Sequence, residues 1–375
     1  MTIIVEKVDV LNNKQHKKRF IDLPFSLYKN DQNWVPLLKM ESNKMFSAKH
    51  PFYETSEVSF WIAVKNGVDV GRIMAIVNKN YLEFHQDSTG HYGFFEAIDD
   101  KEVFNSLFKA SSEWLKSQGL AKMQGPFNPS TNYESGNLVR GNGQRPVLMM
   151  PYNPSFYEKH IEELGFSKVK DLLAYHIASE FEMPEIITKI AHRAESKNKI
   201  TYRTISKKNW AKEAELMFEI YNDAWEKNWG FIPMTRDEFM AMAIDLKTVA
   251  DEKLILFALV DGVAAGFIVA LPDFNQVLHK IPNGKLLPTG IFKVLNAKKY
   301  MTAVRVITMG VKKEFRKLGL ETILYHRCHE NIKSYKQYKD IEMSWILEDN
   351  LNMNKPLIRM GATPYRAYRI FEKDI

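Results

Sequence analysis

Two stretches of the chain carry one signature, and this repeat constrains the fold more than any other feature. The first, SFWIAVKNGVDVGRIMAIV (59–77), sets Asn66-Gly67 between two apolar runs and adds a second glycine, Gly71, four residues on. The other, LFALVDGVAAGFIVAL (256–271), repeats the spacing with Asp261, Gly262 and Gly266. Asn-Gly or Asp-Gly between β-forming runs marks a type I′ hairpin, because both central residues of that turn need φ > 0. The same turn decides how 254–272 is read. With Asp261 its single charge, this stretch is long enough to raise a membrane span, but a tight turn at its middle makes it two buried strands.

Each copy is followed, after an insert, by a strand, a helix, another strand and a Gly-containing turn. In the first half the helix is 101–117: Val103, Phe104, Leu107, Phe108, Trp114 and Leu115 share one face, and Asp99 or Asp100 caps it. A strand at 121–125, a helix at 155–163 and a strand at 172–177 follow. In the second half Trp210, Ala214, Met217, Tyr221 and Ala224 make a helical stripe, and Thr235 with Glu238 forms a capping box for a helix through Leu246. After the hairpin come a strand at 304–311, a helix at 314–332 and a strand at 341–348, in which Ile341, Met343, Trp345 and Leu347 alternate with Glu342, Ser344 and Glu348. A short helix ends at Gly361, and a last strand covers 365–371. Equal element order implies a duplicated α+β fold, with domains at 1–185 and 198–375 and a polar connecting helix at the junction, 183–200.

A chain of 375 residues exceeds one ordinary core, and 12% aromatic residues exclude disorder. One cysteine, Cys328, rules out an internal disulfide and fits a reducing cytoplasm. The start of the chain lacks the long apolar region of a secretory signal, so a cytoplasmic location is expected. Net charge +7 suits nucleic acid, a membrane surface or a polyphosphate partner. The basic residues form no single tract and no nucleic-acid motif is visible, which argues against the first. His326, Cys328 and His329 do not converge on a helix as metal ligands do, so no metal is expected.

The stretch VITMGVKKEFRKLGLETIL (306–324) sets Arg316, Lys317, Leu318, Gly319 and Leu320 between a strand and a helix. This resembles the R/Q-x-x-G-x-G/A segment of the GNAT N-acyltransferases, with Glu321 where that family has Gly or Ala. A helix N-terminus offers unpaired N–H groups to a pyrophosphate, and glycine lets the backbone approach it. Glu321 departs from the pattern, since a carboxylate repels phosphate. The phrases at 149–166, 221–235 and 342–350 resemble a bacterial tandem GNAT-like group covering the whole chain, some of whose members are described as ceramide synthases that N-acylate a sphingoid base.

The resemblance implies two tandem GNAT-like domains, each a mixed, mostly antiparallel sheet flanked by helices. It implies acyl-CoA or acetyl-CoA as co-substrate, held by Met309, Gly310 and Val311 of a splayed strand, by the loop 316–320 and by Asn350. The first half lacks the motif and is expected to be degenerate. The family's tyrosine acid falls at Leu357, leaving Tyr365 or Tyr368 to replace it, while Glu348 or Glu342 would draw the amine proton directly or through water. The basic, apolar insert 285–299 suits an acyl-chain lid or a peripheral contact with the inner membrane surface. The acceptor is then a small-molecule or lipid-like amine. Two other classes also fit: a non-catalytic acyl-CoA or lipid-binding protein, which Glu321 and Leu357 would suit, and a charged-tRNA-dependent aminoacyl transferase of the peptidoglycan type.

Overall fold

A computed structural model describes residues 2–197 and 200–375; Asn198 and Lys199, at the end of the expected junction, lie outside them. The chain forms two compact units. One comprises Met1–Leu172, Asn275–Asn296 and Arg366–Ile375, the other Leu173–Phe274 and Ala297–Tyr365. These bounds differ from a simple division at 185–198: the insert after the second hairpin and the last ten residues both belong to the first unit.

In unit one the elements are β1 (Ile3–Val8), α1 (Lys14–Leu27), α2 (Lys39–Met45), β2 (Ser56–Lys65), β3 (Val68–Asn78), α3 (Lys79–His85), β4 (Thr89–Ala97), α4 (Lys101–Ser117), β5 (Lys122–Gly125), the short β6 (Phe127–Asn128), β7 (Glu134–Ser135) and β8 (Asn137–Arg140), and α5 (Phe156–Glu163). β9 (Ser167–Ala178) begins here, and α6 (Glu185–Lys197) follows it. Unit two holds β10 (Ile200–Thr204), α7 (Trp210–Trp225), α8 (Arg236–Lys247), β11 (Ile255–Val260) and β12 (Val263–Pro272). The insert carries α9 (Asn275–Leu278) and α10 (Ile291–Leu295); then come β13 (Ala303–Val311), α11 (Leu320–Lys333), β14 (Asp340–Leu347), α12 (Leu351–Arg359) and β15 (Thr363–Asp374).

The sheet of unit one runs β1-β2-β3-β4-β5-β15, antiparallel except for the β4–β5 pair, with β8 also on β15. That of unit two runs β9-β14-β13-β12-β11-β10, with β13–β14 parallel and β10 to β13 antiparallel. Each is a mixed sheet flanked by helices, an α+β fold.

The repeated signature has a packing reason. Asn66 and Gly67 (φ 54° and 75°) and Asp261 and Gly262 (φ 48° and 82°) make the two predicted I′ turns. The second glycine of each copy follows a bulge, where the register slips between Ala63 and Val64 and between Ala258 and Leu259. A methyl group on Gly71 would press on Leu107 and Val103 of α4; one on Gly266 would press on Val311 and reach Leu324 of α11. The glycine lets a helix lie close on the hairpin. Gly319, at φ 78°, ends the loop before α11. The helix therefore starts six residues later than expected at Glu314, the first part being a 3-10 turn at Lys313–Phe315. Among the described residues no helix is long and apolar enough to cross a membrane.

Candidate active site

β13 and β14 pair only from Ala303–Asp340 to Val306–Met343, then diverge. Beyond the fork β13 keeps its partner β12, with a bulge opposite Val269 and Ala270 and pairs at Met309–Ile268, Gly310–Phe267 and Val311–Gly266. The Lys312 N–H donates to Ala265 O at 2.9 Å. Antiparallel alternation then turns Gly310 the same way and aims the backbone groups of Met309 and Val311 into the fork. Two N–H groups fixed on a strand edge are the kind of donor that stabilises a developing oxyanion. Gly310 is required there: any side chain would run into the Trp225 ring and Ala224 of α7.

One side of the fork is bounded by α11. Tyr325 is half-buried, its hydroxyl donating to Met353 Sδ at 3.2 Å, so it reaches from α11 to the first turn of α12. Burial, reinforced by Glu321, pushes its pKa up and keeps it protonated. Tyr325 was missed by the sequence reading; its only signal is its place one helical turn after Glu321, on the same face.

At the start of α11 the motif residues divide. Leu320 is fully buried and Gly319 sits against Ala194 of α6. Leu318 is half-buried. Arg316 turns to the end of α7, donating to Ala224 O at 2.7 Å and to Val311 O at 3.5 Å. Lys317 is exposed and in no ion pair among the described residues. Glu321 stands half-buried in the first turn of α11. Burial raises its pKa, with its own backbone N–H and Arg316 opposing.

The opposite face of the sheet carries a buried polar chain. Phe267 lies against Trp225 of α7, and alternation sets Leu271, the partner of Arg305, on the same face. Arg305 in turn is paired with Glu342. Arg305 donates through Nε to Ser344 Oγ (2.9 Å), and Ser344 Oγ donates to Glu342 Oε1 (2.5 Å). The Tyr365 hydroxyl donates to Glu342 Oε2. Arg305, Glu342 and Ser344 are buried, whereas Tyr365 is partly exposed. Glu342 and Tyr365 thus meet beside the fork, one step before the last β13–β14 pair, Val306–Met343.

The other expected residues are placed differently. Glu348 is half-buried beyond the end of β14, where its carbonyl accepts from Asn354 Nδ2 at 3.1 Å. Asn350 starts α12 through its backbone, with no side-chain cap. Asn354 is the buried asparagine, accepting from Tyr175 Oη at 3.0 Å and donating to Leu347 O. Leu357 is buried. Tyr368 belongs to unit one, where it is fully buried against Gly136. His326 faces His192 and Glu330, and His329 meets Ser179 O, so the three side chains of the His-Cys-His group diverge. Burial pushes the Cys328 thiol up to about 12, and among the described residues no cluster could hold a metal ion.

Unit one has the same fork, because β4 and β5 pair only at Thr89–His91. There the strand edge is filled by the chain itself. The Phe94 N–H donates to Asn128 Oδ1 (2.6 Å) and the Ala97 N–H to the Tyr157 hydroxyl (2.7 Å). Tyr157 and Tyr28 both donate to Glu96, a carboxyl that burial pushes upward and Arg72 holds down. At the head of α4, Asp100 accepts from the Glu102 N–H at 2.9 Å, so a carboxylate caps this helix too.

Two curated proteins align over nearly the whole chain. Protein YghO of Escherichia coli (strain K12) is 38% identical over 369 residues, covering 97% of this chain and 94% of its own. The bacterial ceramide synthase of Caulobacter vibrioides is 36% identical over 367 residues, covering 96% and 94%. The chain belongs to the bacterial tandem GNAT-like family that includes them. No family model matches it. Among solved structures, a tandem GNAT protein from the clavulanic acid biosynthesis pathway aligns over 100% of this chain and 98% of its own, with TM-score 0.58 at 10% identity. A GCN5-related N-acetyltransferase from Sphaerobacter thermophilus aligns over 99% and 95%, with TM-score 0.53 at 13% identity. At such identities the likeness is one of fold.

Proposed function

We propose that the protein transfers an acyl group from acyl-CoA to an amine at the fork of unit two, and that unit one is the degenerate half. The observation that carries this reading is the fork itself: a β13 edge that β14 has left at Met309 and Val311, with the Glu342–Tyr365 pair beside its apex. The thioester carbonyl accepts from the β13 N–H groups, and the amine nitrogen attacks its carbon from the Tyr365 face. The amine proton passes to the Tyr365 oxygen as the Tyr365 proton moves to Glu342. The C–S bond then breaks, the amide forms, and Tyr325 protonates the departing thiolate. Glu342 is the base in this scheme, Tyr365 the relay, and Arg305 and Ser344 hold Glu342 in place. Glu348, just beyond the end of β14, is the competing base. The name of the Caulobacter relative supports a long-chain, sphingoid-type amine as acceptor.

The test combines binding and turnover. Palmitoyl-CoA, acetyl-CoA and CoA are compared by thermal shift, since a ligand of the folded state raises the melting temperature. Thiol release from palmitoyl-CoA is then followed with sphinganine as acceptor. Palmitoyl-CoA is expected to stabilise the protein, and Glu342→Gln to lower turnover by about 10²-fold or more with binding intact. Glu348→Gln is expected to turn over normally. No shift with any of the three ligands defeats the assignment, and loss of turnover only in Glu348→Gln moves the base to that residue. The second reading, a binding protein without turnover, draws on the Glu321 carboxylate at the α11 N-terminus; binding without thiol release would favour it.

A further inference from the structure

The insert of unit one presents an apolar surface that the acyl-transfer reading does not use. Its root is firmly held: Val277, Leu278 and Ile281 are buried, and Asn275 Nδ2 donates to Pro146 O at 3.0 Å. Its tip is not buried at all. Leu287, Phe292 and Leu295 are 70%, 63% and 73% exposed. The segment expected as an acyl-chain lid or a membrane contact is a π-turn at Leu286–Gly290 followed by the short α10, a bent tip that turns large side chains outward. The head of α2 lies beside it, since the Lys39 N–H donates to Gly284 O at 2.8 Å. Leu37 and Met40 there are 49% and 46% exposed. Five large apolar side chains on one anchored surface exceed the scattered exposure normal for a globular protein.

The charge of the insert itself has one sign, while at the head of α2 Glu41 pairs with Lys44 and Asp22 with Lys39. Between Asp273 and Glu314 the chain has no acidic residue, while Lys280, Lys285, Lys293, Lys298 and Lys299 fall in that interval. Lys285 and Lys293, which flank the exposed side chains, enter no ion pair among the described residues. A self-complementary contact between two copies would bring lysines against lysines. An anionic bilayer instead accepts the apolar tips among its acyl chains and pairs the lysines with its headgroups.

We propose that Leu37, Met40, Leu287, Phe292 and Leu295, with Lys285 and Lys293, form a docking surface for an anionic phospholipid bilayer. This does not depend on the reading of the fork. The experiment is flotation of the full-length protein with phosphatidylglycerol–phosphatidylethanolamine vesicles and with phosphatidylcholine vesicles, at low and high salt. Wild type is expected to float with the anionic vesicles and to be released by salt. The variant Leu287→Ser/Phe292→Ser/Leu295→Ser is expected to bind at least about tenfold more weakly with an unchanged thermal melt, because the three side chains are exposed. Lys285→Gln/Lys293→Gln is expected to lose the preference for anionic vesicles. The proposal falls if wild type does not bind anionic vesicles, or if the triple-serine variant binds them equally. It also falls if the substitutions abolish a dimer in sedimentation while vesicle binding is absent, which would assign the surface to a second copy.

Discussion

Glu321 is the residue on which cofactor affinity turns. Its carboxylate stands in the first turn of α11, where a bound anion would meet it, and burial raises its pKa toward the neutral form. A bound pyrophosphate would favour that form further, because two like charges at a helix N-terminus repel. The sign follows: CoA binding should take up a proton, and affinity should rise as pH falls toward the raised pKa of Glu321. Glu321→Gln removes the repulsion, so CoA should bind about threefold to tenfold tighter near neutral pH, with the proton uptake lost. Calorimetric titration in buffers of different ionisation heat reads both quantities, and an unchanged affinity in the variant would place the pyrophosphate elsewhere. The motif made the conflict visible in the sequence. How the motif is arranged, with Glu321 half-buried and Arg316 turned to α7, depends on rotamers that no spacing encodes.

At the scale of the element, β13 carries the site because it obeys two partners over different lengths. It pairs with β12 along its course but with β14 only to Val306, and the bulge opposite Val269 and Ala270 reverses which residues face α7. Gly310 is where that face meets Trp225. Gly310→Ala should displace the indole and lower stability by about 1–3 kcal/mol, the usual cost of overpacking, and should weaken acyl-CoA binding by moving the strand edge. Thermal melting and CoA titration of the variant check this; a wild-type melt would mean that Trp225 yields freely. Strand and helix spans were legible from periodicity, as the helix at 101–117 shows. The length over which β13 and β14 pair was not, because a strand's sequence shows which face is apolar and not where its neighbour leaves it.

For the whole molecule, compactness does not follow chain order. Unit one includes Asn275–Asn296 and Arg366–Ile375, and its core holds Phe371, fully buried with Tyr92, Phe108 and Phe166. Phe371–Asp374 pairs with β5, and Arg369 bridges Asp171 and Glu158. A fragment ending at residue 185 lacks that strand and should show no cooperative melt, although it contains the complete first repeat. Near-ultraviolet circular dichroism and thermal scans of fragment and full chain decide this; a sharp transition in the fragment would show that the last strand is dispensable.

The sequence by itself determined the duplication and the hairpins. Those follow from local rules: φ > 0 at Asn66-Gly67 and Asp261-Gly262, and apolar periodicity. It also determined the family, through motif residues in order along the chain. The tertiary structure alone decided which side chains stand at each fork. Tyr157 and Asn128 take up the strand edge in unit one, while Glu342 and Tyr365 meet beside the other fork and Tyr325 lies on its α11 side. Those side chains come from elements far apart in sequence, and their meeting depends on strand register and packing, which local propensity leaves undetermined.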